Sequence, residues 1–251
     1  MKAASDHCFA LVRAGDKDRF LSSLFAPDDI RPHLLALYAF NLEITRIRNV
    51  VSDPQIGLIR QQWWRDTLDG IYAGTVPAHP VAEALAGAIA EGNLPQHALQ
   101  NLVTAHEFDL FHDQMENLPQ LEGYLGETSS ALIQMAAMIL AGERAQASAE
   151  AAGLAGVAYG LALLLRDPER RPPYLPPGFS VADAIAHARR RLAEARALRG
   201  AVPVMALPAF LPVSLTPLYL RKVEHMPGEH IRTTHFRRQI TLWWRARQDR
   251  Y

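Results

Sequence analysis

The alternation of polar and apolar positions is clearest between residues 34 and 66. Five polar residues there recur at spacings of three, four, four and three, which is the spacing of one stripe on an α-helix. These residues are Tyr38, Asn41, Thr45, Asn49 and Ser52. An adjoining apolar stripe consists of Leu34, Leu37, Ile44, Ile47 and Val51. The two stripes predict a long helix over residues 34–52. If both stripes face the interior, this helix lines a cavity with polar side chains inside an otherwise apolar helical bundle.

Helical signals continue along the rest of the chain. Two short helices are predicted over residues 5–14 and 16–26, and Pro27-Asp28-Asp29 predicts the cap of the long helix. Ser52-Asp53-Pro54 predicts the start of the next helix, because a capping side chain precedes a proline. Further helices are predicted over residues 54–73, 80–90, 95–111, 121–141, 153–167, 181–199 and 231–250. Since no strand-like alternation of useful length occurs, we predict an all-α fold with a single domain over residues 1–251.

Three glycines, at positions 153, 156 and 160, share one face of a predicted helix. Small residues at this spacing let a neighbouring helix approach closely, so we predict a close packing contact along that face. A dinucleotide-binding loop is excluded here, because the strand that must precede such a loop is missing.

Residues 201–220 carry no charged side chain over a length that suffices to cross a bilayer. They contain four prolines, each of which would cost roughly 3 kcal/mol inside a helix. We therefore predict two short buried helices joined by kinks. Contact of this region with a membrane surface remains an alternative.

The composition is that of an ordinary globular protein. Of the 251 residues, 49% are hydrophobic and 21% are charged, and the formal net charge of zero argues against a nucleic-acid partner. The single cysteine, Cys8, excludes an internal disulfide. Because the N-terminal residues lack the pattern of a secretion or organelle signal, we expect a cytoplasmic location, with peripheral contact to the inner membrane as an alternative.

The motifs of several common catalytic sites are absent from the sequence. The chain contains no P-loop, dinucleotide-binding fingerprint, nucleophile elbow or H-E-x-x-H pair. His225, His230 and His235 are five residues apart, which does not place them on one helical face, so we predict no metal site there. Three acidic residues, Glu107, Asp109 and Asp113, could bring carboxylates near one another, but we interpret them as a solvated helix face.

Two segments carry a family resemblance. The pattern L-A-L-Y-A-F-N-x-E at 35–43, with W-W-R-D at 63–66, resembles the squalene/phytoene synthase family. The run G-x-A-Y-G-L-A-L-L-L-R-D at 156–167, with Y-L-P at 174–176, is similar to the second signature of that family. The resemblance implies an isoprenoid-synthase-like helical bundle around a central cavity. In active members, it further implies, two helices each present an aspartate pair whose Mg²⁺ ions hold prenyl diphosphates.

This sequence departs from the family pattern at the metal-binding positions. Thr45, Arg46 and Asn49 stand where the aspartates of the first signature would fall. In the second signature Asp167 is kept, but Arg171 stands four residues further on. Because Mg²⁺ binds through carboxylate oxygens, we predict no metal, no cofactor and no catalytic residue. Mg²⁺ is expected only under the alternative function given below, a prenyl transferase.

A more extensive resemblance is to a non-catalytic branch of the same family, whose members serve in the assembly of respiratory complex I (NADH dehydrogenase). The segments that carry it are residues 18–20, 31–43, 56–63, 129–130, 202–204 and 207–211. This resemblance implies a pseudoenzyme that acts as an assembly factor or scaffold, with a protein partner in a membrane complex. The alternatives are a prenyl transferase with an altered site and a carrier that binds an isoprenoid or another lipid.

Seven residues are expected to line the cavity and to contact a ligand if one binds: Tyr38, Asn41, Thr45, Arg46, Asn49, Arg166 and Asp167. A buried arginine without a partner is costly, so we predict that the arginines near the cavity form internal ion pairs with acids such as Glu43 and Asp167. Binding of a lipid phosphate by these arginines is the alternative.

The C-terminal part of the chain is basic, although the whole chain is neutral. Residues 221–251 contain eight Lys or Arg and three Asp or Glu, around the pair Trp243-Trp244. Such a segment suits contact with an anionic bilayer or an acidic partner. A solvated face with tryptophans in the core is the alternative interpretation.

Overall fold

The computed structural model describes residues 2–111, 113–248 and 251. Within these ranges the chain forms thirteen α-helices and no strand, which confirms the predicted all-α class. The helices are α1 (Lys2–Gly15), α2 (Lys17–Ser23), α3 (Arg31–Val50), α4 (Pro54–Tyr72), α5 (Pro80–Gly92), α6 (Gln96–Ala105), α7 (Leu118–Leu125), α8 (Ala131–Ala141), α9 (Ala149–Leu165), α10 (Val181–Ala197), α11 (Leu207–Phe210), α12 (Thr216–His225) and α13 (His235–Arg247).

Short 3-10 segments and one π-helical turn connect several of these helices. The 3-10 segments are Phe108–Leu110, Gly142–Ser148, Arg199–Ala201, Val204–Ala206 and Leu211–Leu215. The π-helical turn, Gly126–Ser130, separates α7 from α8. The single helix predicted over residues 121–141 is therefore wrong in detail, because this turn interrupts it. The helix predicted over 95–111 likewise ends at Ala105, where a tighter turn follows.

The two predicted start signals around α3 and α4 have different outcomes. Asp53 caps α4 and its carboxylate accepts a hydrogen bond from the Gln55 N–H, as the sequence predicts. The triplet at 27–29 does not cap α3, whose N-cap is Ile30 without a side-chain bond. Instead, the Arg31 guanidinium donates to the carbonyls of Ser23 and Ala26 and fixes the turn before the helix.

Helix α9 occupies the centre of the bundle and is buried on nearly all sides, as expected for a helix that is apolar all round. A methyl group at Gly156 would lie 2.3 Å from the Ser130 Cα atom, and one at Gly160 would lie 2.6 Å from Leu125. The predicted close packing is therefore correct at these two glycines. It is wrong at Gly153, where an added Cβ would meet nothing within 4 Å.

The uncharged stretch at 201–220 folds as a series of short segments rather than as one straight helix. Nearly every residue from Ala206 to Thr216 is buried, so the prediction of short buried helices is confirmed in kind, although the pieces are more numerous. Two stretches, 118–165 and 204–225, are long and apolar enough to cross a membrane. Their most apolar windows are 67% and 72% buried inside the fold, which is the arrangement of core helices.

Candidate functional site

An open cavity of about 510 Å³ lies between α2, α3, α7 and the end of α9. Four of the seven residues predicted to line it do so. Asn41 and Thr45 reach the cavity from α3, and Arg166 and Asp167 reach it from the residues that follow α9. A volume of several hundred Å³ is that of a site for a small molecule.

The other three predicted residues, Tyr38, Arg46 and Asn49, are not part of the cavity lining. Tyr38 is buried in the core, where the Arg19 guanidinium lies 5.8 Å from its ring centre. Arg46 is exposed and pairs with Glu43 at 3.6 Å, which is one of the predicted internal ion pairs. Asn49 is exposed near the end of α3. Ligand contact by any of the seven stays a prediction.

The first buried acidic centre is Asp18, at the start of α2. Its Oδ2 atom accepts hydrogen bonds from the hydroxyls of Tyr159 at 3.0 Å and Tyr219 at 2.7 Å. Its Oδ1 atom lies 2.8 Å from the Nε atom of Arg238 in an ion pair. Burial raises the pKa of Asp18, and the Tyr219 hydroxyl, Arg238 and Arg166 partly offset this effect. This carboxylate therefore ties together four helices, α2, α9, α12 and α13.

The second buried acidic centre is Asp109, and here the predicted solvated helix face is wrong. Its side chain is 3% exposed, because the chain turns inward where α6 ends at Ala105. The carboxylate accepts hydrogen bonds from the Tyr124 hydroxyl at 2.9 Å and the Tyr174 hydroxyl at 2.5 Å, and it lies 2.8 Å from His106 Nδ1. The neighbouring Glu107 does lie near the surface, paired with Arg65 at 2.6 Å.

The pKa of Asp109 is set by opposing effects. Burial alone would raise it, but the charge and hydrogen bond of His106 and the hydroxyls of Tyr174 and Tyr124 lower it below its ordinary value. The same centre raises the pKa of Tyr174 to about 12, first through burial and then through the adjacent carboxylate. The Tyr174 hydroxyl also accepts a hydrogen bond from the Arg48 guanidinium at 2.8 Å.

We expect Asp109→Asn to lower the stability of the protein at neutral pH, because the neutral amide loses the charge-assisted bonds to His106 and the two tyrosines. A carboxyl with a lowered pKa stabilises the fold above its unfolded pKa of about 4 and loses that contribution as pH falls through the lower folded pKa. Urea unfolding between pH 3 and 7 should therefore give a difference from wild type that is constant above pH of about 5 and shrinks below about 4.

The control for this measurement is Asp113→Asn, which removes an exposed carboxylate four residues away. It should follow the wild-type curve throughout. A stability difference for Asp109→Asn that is the same at every pH would contradict the assigned role of the ionised carboxylate.

The arginines near the cavity are engaged in internal contacts, mostly with other partners than predicted. Arg166 lies 4.0 Å from Asp18, stacks 4.3 Å from the ring centre of Tyr219, and does not pair with Asp167. Asp167 instead faces His230 at 3.6 Å. Arg171 is buried and donates to the carbonyls of Leu165 and Pro227, so that it satisfies the end of α9.

These contacts do not fit a Mg²⁺ site for diphosphates. The carboxylates at the cavity already bind protein groups, and the Thr45 hydroxyl donates to the Leu42 carbonyl. Among the described residues, no group of three or more His, Cys, Asp or Glu side chains is placed to hold a metal ion. The lining instead has more basic than acidic side chains, namely Lys17, Arg19, Arg166, Arg170 and Arg238 against Asp16, Asp18 and Asp167.

Comparison with known structures places the fold among isoprenoid synthases. Squalene synthase HpnC from Alicyclobacillus acidocaldarius superposes with a TM-score of 0.73 at 20% identity, over 91% of this chain and 96% of that one. A dehydrosqualene synthase in complex with ligand superposes with a TM-score of 0.77 at 18% identity, over 97% and 95% of the two chains. These similarities confirm the predicted isoprenoid-synthase-like bundle.

Comparison of sequences gives both a family and a set of relatives. A sequence model described as squalene/phytoene synthase matches residues 12–176. The chain is 32% identical over 246 residues to NADH dehydrogenase (ubiquinone) complex I, assembly factor 6 of Bos taurus, covering 88% of this chain and 74% of the relative. The protein of the same name from Homo sapiens is 31% identical over 249 residues, with the same coverage.

Proposed function

The chain belongs to the squalene/phytoene synthase family, and on this premise we propose that it is a pseudoenzyme that acts as an assembly factor for respiratory complex I or a related membrane complex. The observation that carries the proposal is the chemistry of the side chains around the cavity. Its acidic side chains are committed to protein partners, and an arginine occupies the position of a second-signature aspartate. The relatives from Bos taurus and Homo sapiens, which are complex I assembly factors, support the same role.

A prenyl transferase must stabilise the departing diphosphate, and among its described residues the cavity lacks free carboxylates that would hold Mg²⁺ for that purpose. In related enzymes Mg²⁺ neutralises that charge as the carbocation forms. Arg166 offers a positive charge at the cavity, but it is engaged with Asp18, the Ile231 carbonyl and the Tyr219 ring. An assembly factor, in contrast, needs a stable folded surface and no reactive centre. We propose a protein of the membrane complex as its partner and the cytoplasmic side of the membrane as its place of action.

Deletion of the gene in its own organism tests this function. We expect fully assembled complex I, followed by NADH-dependent staining of native gels, to be largely lost and to return when the wild-type gene is supplied. The variant Thr45→Val removes a polar group from the cavity wall and should rescue as well as wild type, because assembly does not use cavity chemistry. Normal complex I in the deletion strain would overturn the proposal.

A second measurement addresses the enzymatic alternative directly. The purified protein is incubated with farnesyl diphosphate and Mg²⁺, and both product formation and the thermal unfolding temperature are followed. We expect no product and no shift of that temperature. Formation of a condensed prenyl product would replace the assembly role with a prenyl transferase that uses an altered site.

A further inference from the structure

Helix α13 presents its apolar side to the exterior. Its four large apolar side chains outside the core, Phe236, Ile240, Trp243 and Trp244, are between 49% and 71% exposed. At 3.6 residues per turn these positions share one face of the helix. On the opposite side only Arg238 and Leu242 are buried. The alternative of tryptophans in the core is therefore wrong.

The outward orientation is imposed by specific contacts on the inner side. Arg238 is held by Asp18, by the Tyr219 hydroxyl and by the Thr233 carbonyl, and Leu242 is fully buried. Rotation of α13 that would bury the tryptophans would expose Leu242 and leave a buried carboxylate without its arginine, which is strongly unfavourable. The exposed aromatic face is thus a specified feature of the fold.

Basic side chains outnumber acidic ones in the sequence around this face. Residues 230–248 contain no Asp or Glu and five arginines, at positions 232, 237, 238, 245 and 247. Arg238 is neutralised by Asp18, whereas Arg232, Arg237 and Arg247 are exposed. The Arg247 guanidinium lies 4.9 Å from the ring centre of Trp243, on the outer face. Asp249 and Arg250, which entered the charge count of the C-terminal segment, lie outside the described residues.

We propose that the outward face of α13 is a docking surface for a bilayer that contains anionic phospholipids. The aromatic and aliphatic side chains enter the headgroup region, and the flanking arginines contact lipid phosphates. A helix with aromatic residues on one face and arginines around it lies in the plane of such an interface. Its 13 residues reach only about 20 Å, which is too short to cross a bilayer.

Charge and composition together favour a lipid surface over an acidic protein. Tryptophan, like tyrosine, is enriched at the boundary between lipid and water, and the two tryptophans on α13 are adjacent and exposed. The turn that ends α2, a helix in contact with α13, also exposes two large apolar side chains, Leu24 and Phe25. This surface would hold the proposed assembly factor at the membrane. The inference rests on the proposed function only in assuming that the protein acts beside a membrane.

Sedimentation with vesicles tests the proposal on the full chain. Vesicles of phosphatidylcholine with phosphatidylglycerol should bind the wild-type protein, whereas vesicles of phosphatidylcholine alone should bind it much more weakly. The double variant Trp243→Ala/Trp244→Ala should weaken binding by about ten-fold or more. Arg237→Gln/Arg247→Gln should weaken it by roughly five-fold for each arginine and reduce its dependence on salt.

The matched control is Trp63→Ala, which removes a tryptophan that is 42% exposed on α4 and should leave binding unchanged. All variants alter exposed side chains, so equal thermal unfolding temperatures establish that each is folded. Unchanged vesicle binding by the tryptophan variant, or equal loss in the Trp63 control, would overturn the proposal. An absence of vesicle binding by the wild-type protein would also overturn the proposal. If the tryptophan variant then failed to restore complex I in the deletion strain, this face would be assigned to a protein partner. The deletion phenotype itself is measured without these variants and therefore tests the assembly role separately.

Discussion

Replacing Asp18 with alanine is expected to lower the free energy of unfolding by about 3–5 kcal/mol, because it leaves the Arg238 guanidinium buried without its counter-charge. The substitution also removes the acceptor of two tyrosine hydroxyls, at Tyr159 and Tyr219. Urea unfolding at pH 7 measures the loss. Arg238→Ala should have an effect of the same order, and the double variant should lose less than the sum of the two, since the residues act as one unit.

A surface ion pair provides the control for this prediction. Arg189 and Glu224 lie 2.7 Å apart, but both side chains are about half exposed, so Glu224→Ala should change stability little. If Asp18→Ala changed the free energy of unfolding as little as this control, Asp18 would not be the buried counter-charge that its contacts with four helices indicate.

Replacing Gly156 with alanine is expected to destabilise the protein by about 1–3 kcal/mol or more, because the new methyl group has no room. It would lie 2.3 Å from the Cα atom and 2.5 Å from the backbone nitrogen of Ser130. Backbone atoms cannot rotate away as the end of a side chain can, so α9 and the π-helical turn must move apart. The midpoint of urea unfolding reports the effect.

The same helix supplies the control for this second prediction. Gly153→Ala places a methyl group in open space, and alanine has the higher helix propensity, so stability should rise by about 0.5–1 kcal/mol. Opposite signs for two identical substitutions three residues apart isolate the packing contact from helix propensity. A stability gain in both variants would contradict the close approach at Ser130.

Local sequence patterns predicted most of the helices because each helix forms from residues that are neighbours in the chain. The start of α4 followed from the cap and the proline at 53–54. The interruptions were not predictable in the same way. The π-helical turn at 126–130 packs where Gly156 and Gly160 leave space on α9. This contact joins residues that are distant in the chain, so local patterns do not reveal it.

The candidate site was predictable only in part, for a related reason. One stripe of α3 contains Tyr38, Asn41, Thr45 and Asn49, but only its middle reaches the cavity. Tyr38 is covered by Arg19 and the core, and Asn49 lies at the exposed end of the helix. Periodicity identifies a face and does not say how far a neighbouring element covers it.

The two buried carboxylates escaped prediction altogether as centres of the site. Asp18 meets hydroxyls that lie 141 and 201 residues away in sequence. Asp109 meets one that lies 65 residues away. No spacing rule within a single helix brings such partners together. The only sequence signal was indirect, since residues 18–20 were among the segments that carried the family resemblance.

The position of Arg171 also bears on whether a metal ligand could be accommodated at this site. Its guanidinium donates to the carbonyls of Leu165 and Pro227 from a buried location. An aspartate in its place would set a carboxylate against those carbonyl oxygens and remove the donors that satisfy them. The fold therefore depends on an arginine at the position where the family resemblance implies an aspartate. Arg171→Asp would damage the fold before it could add a metal ligand, so under the proposed function the local hydrogen bonding opposes a metal site here.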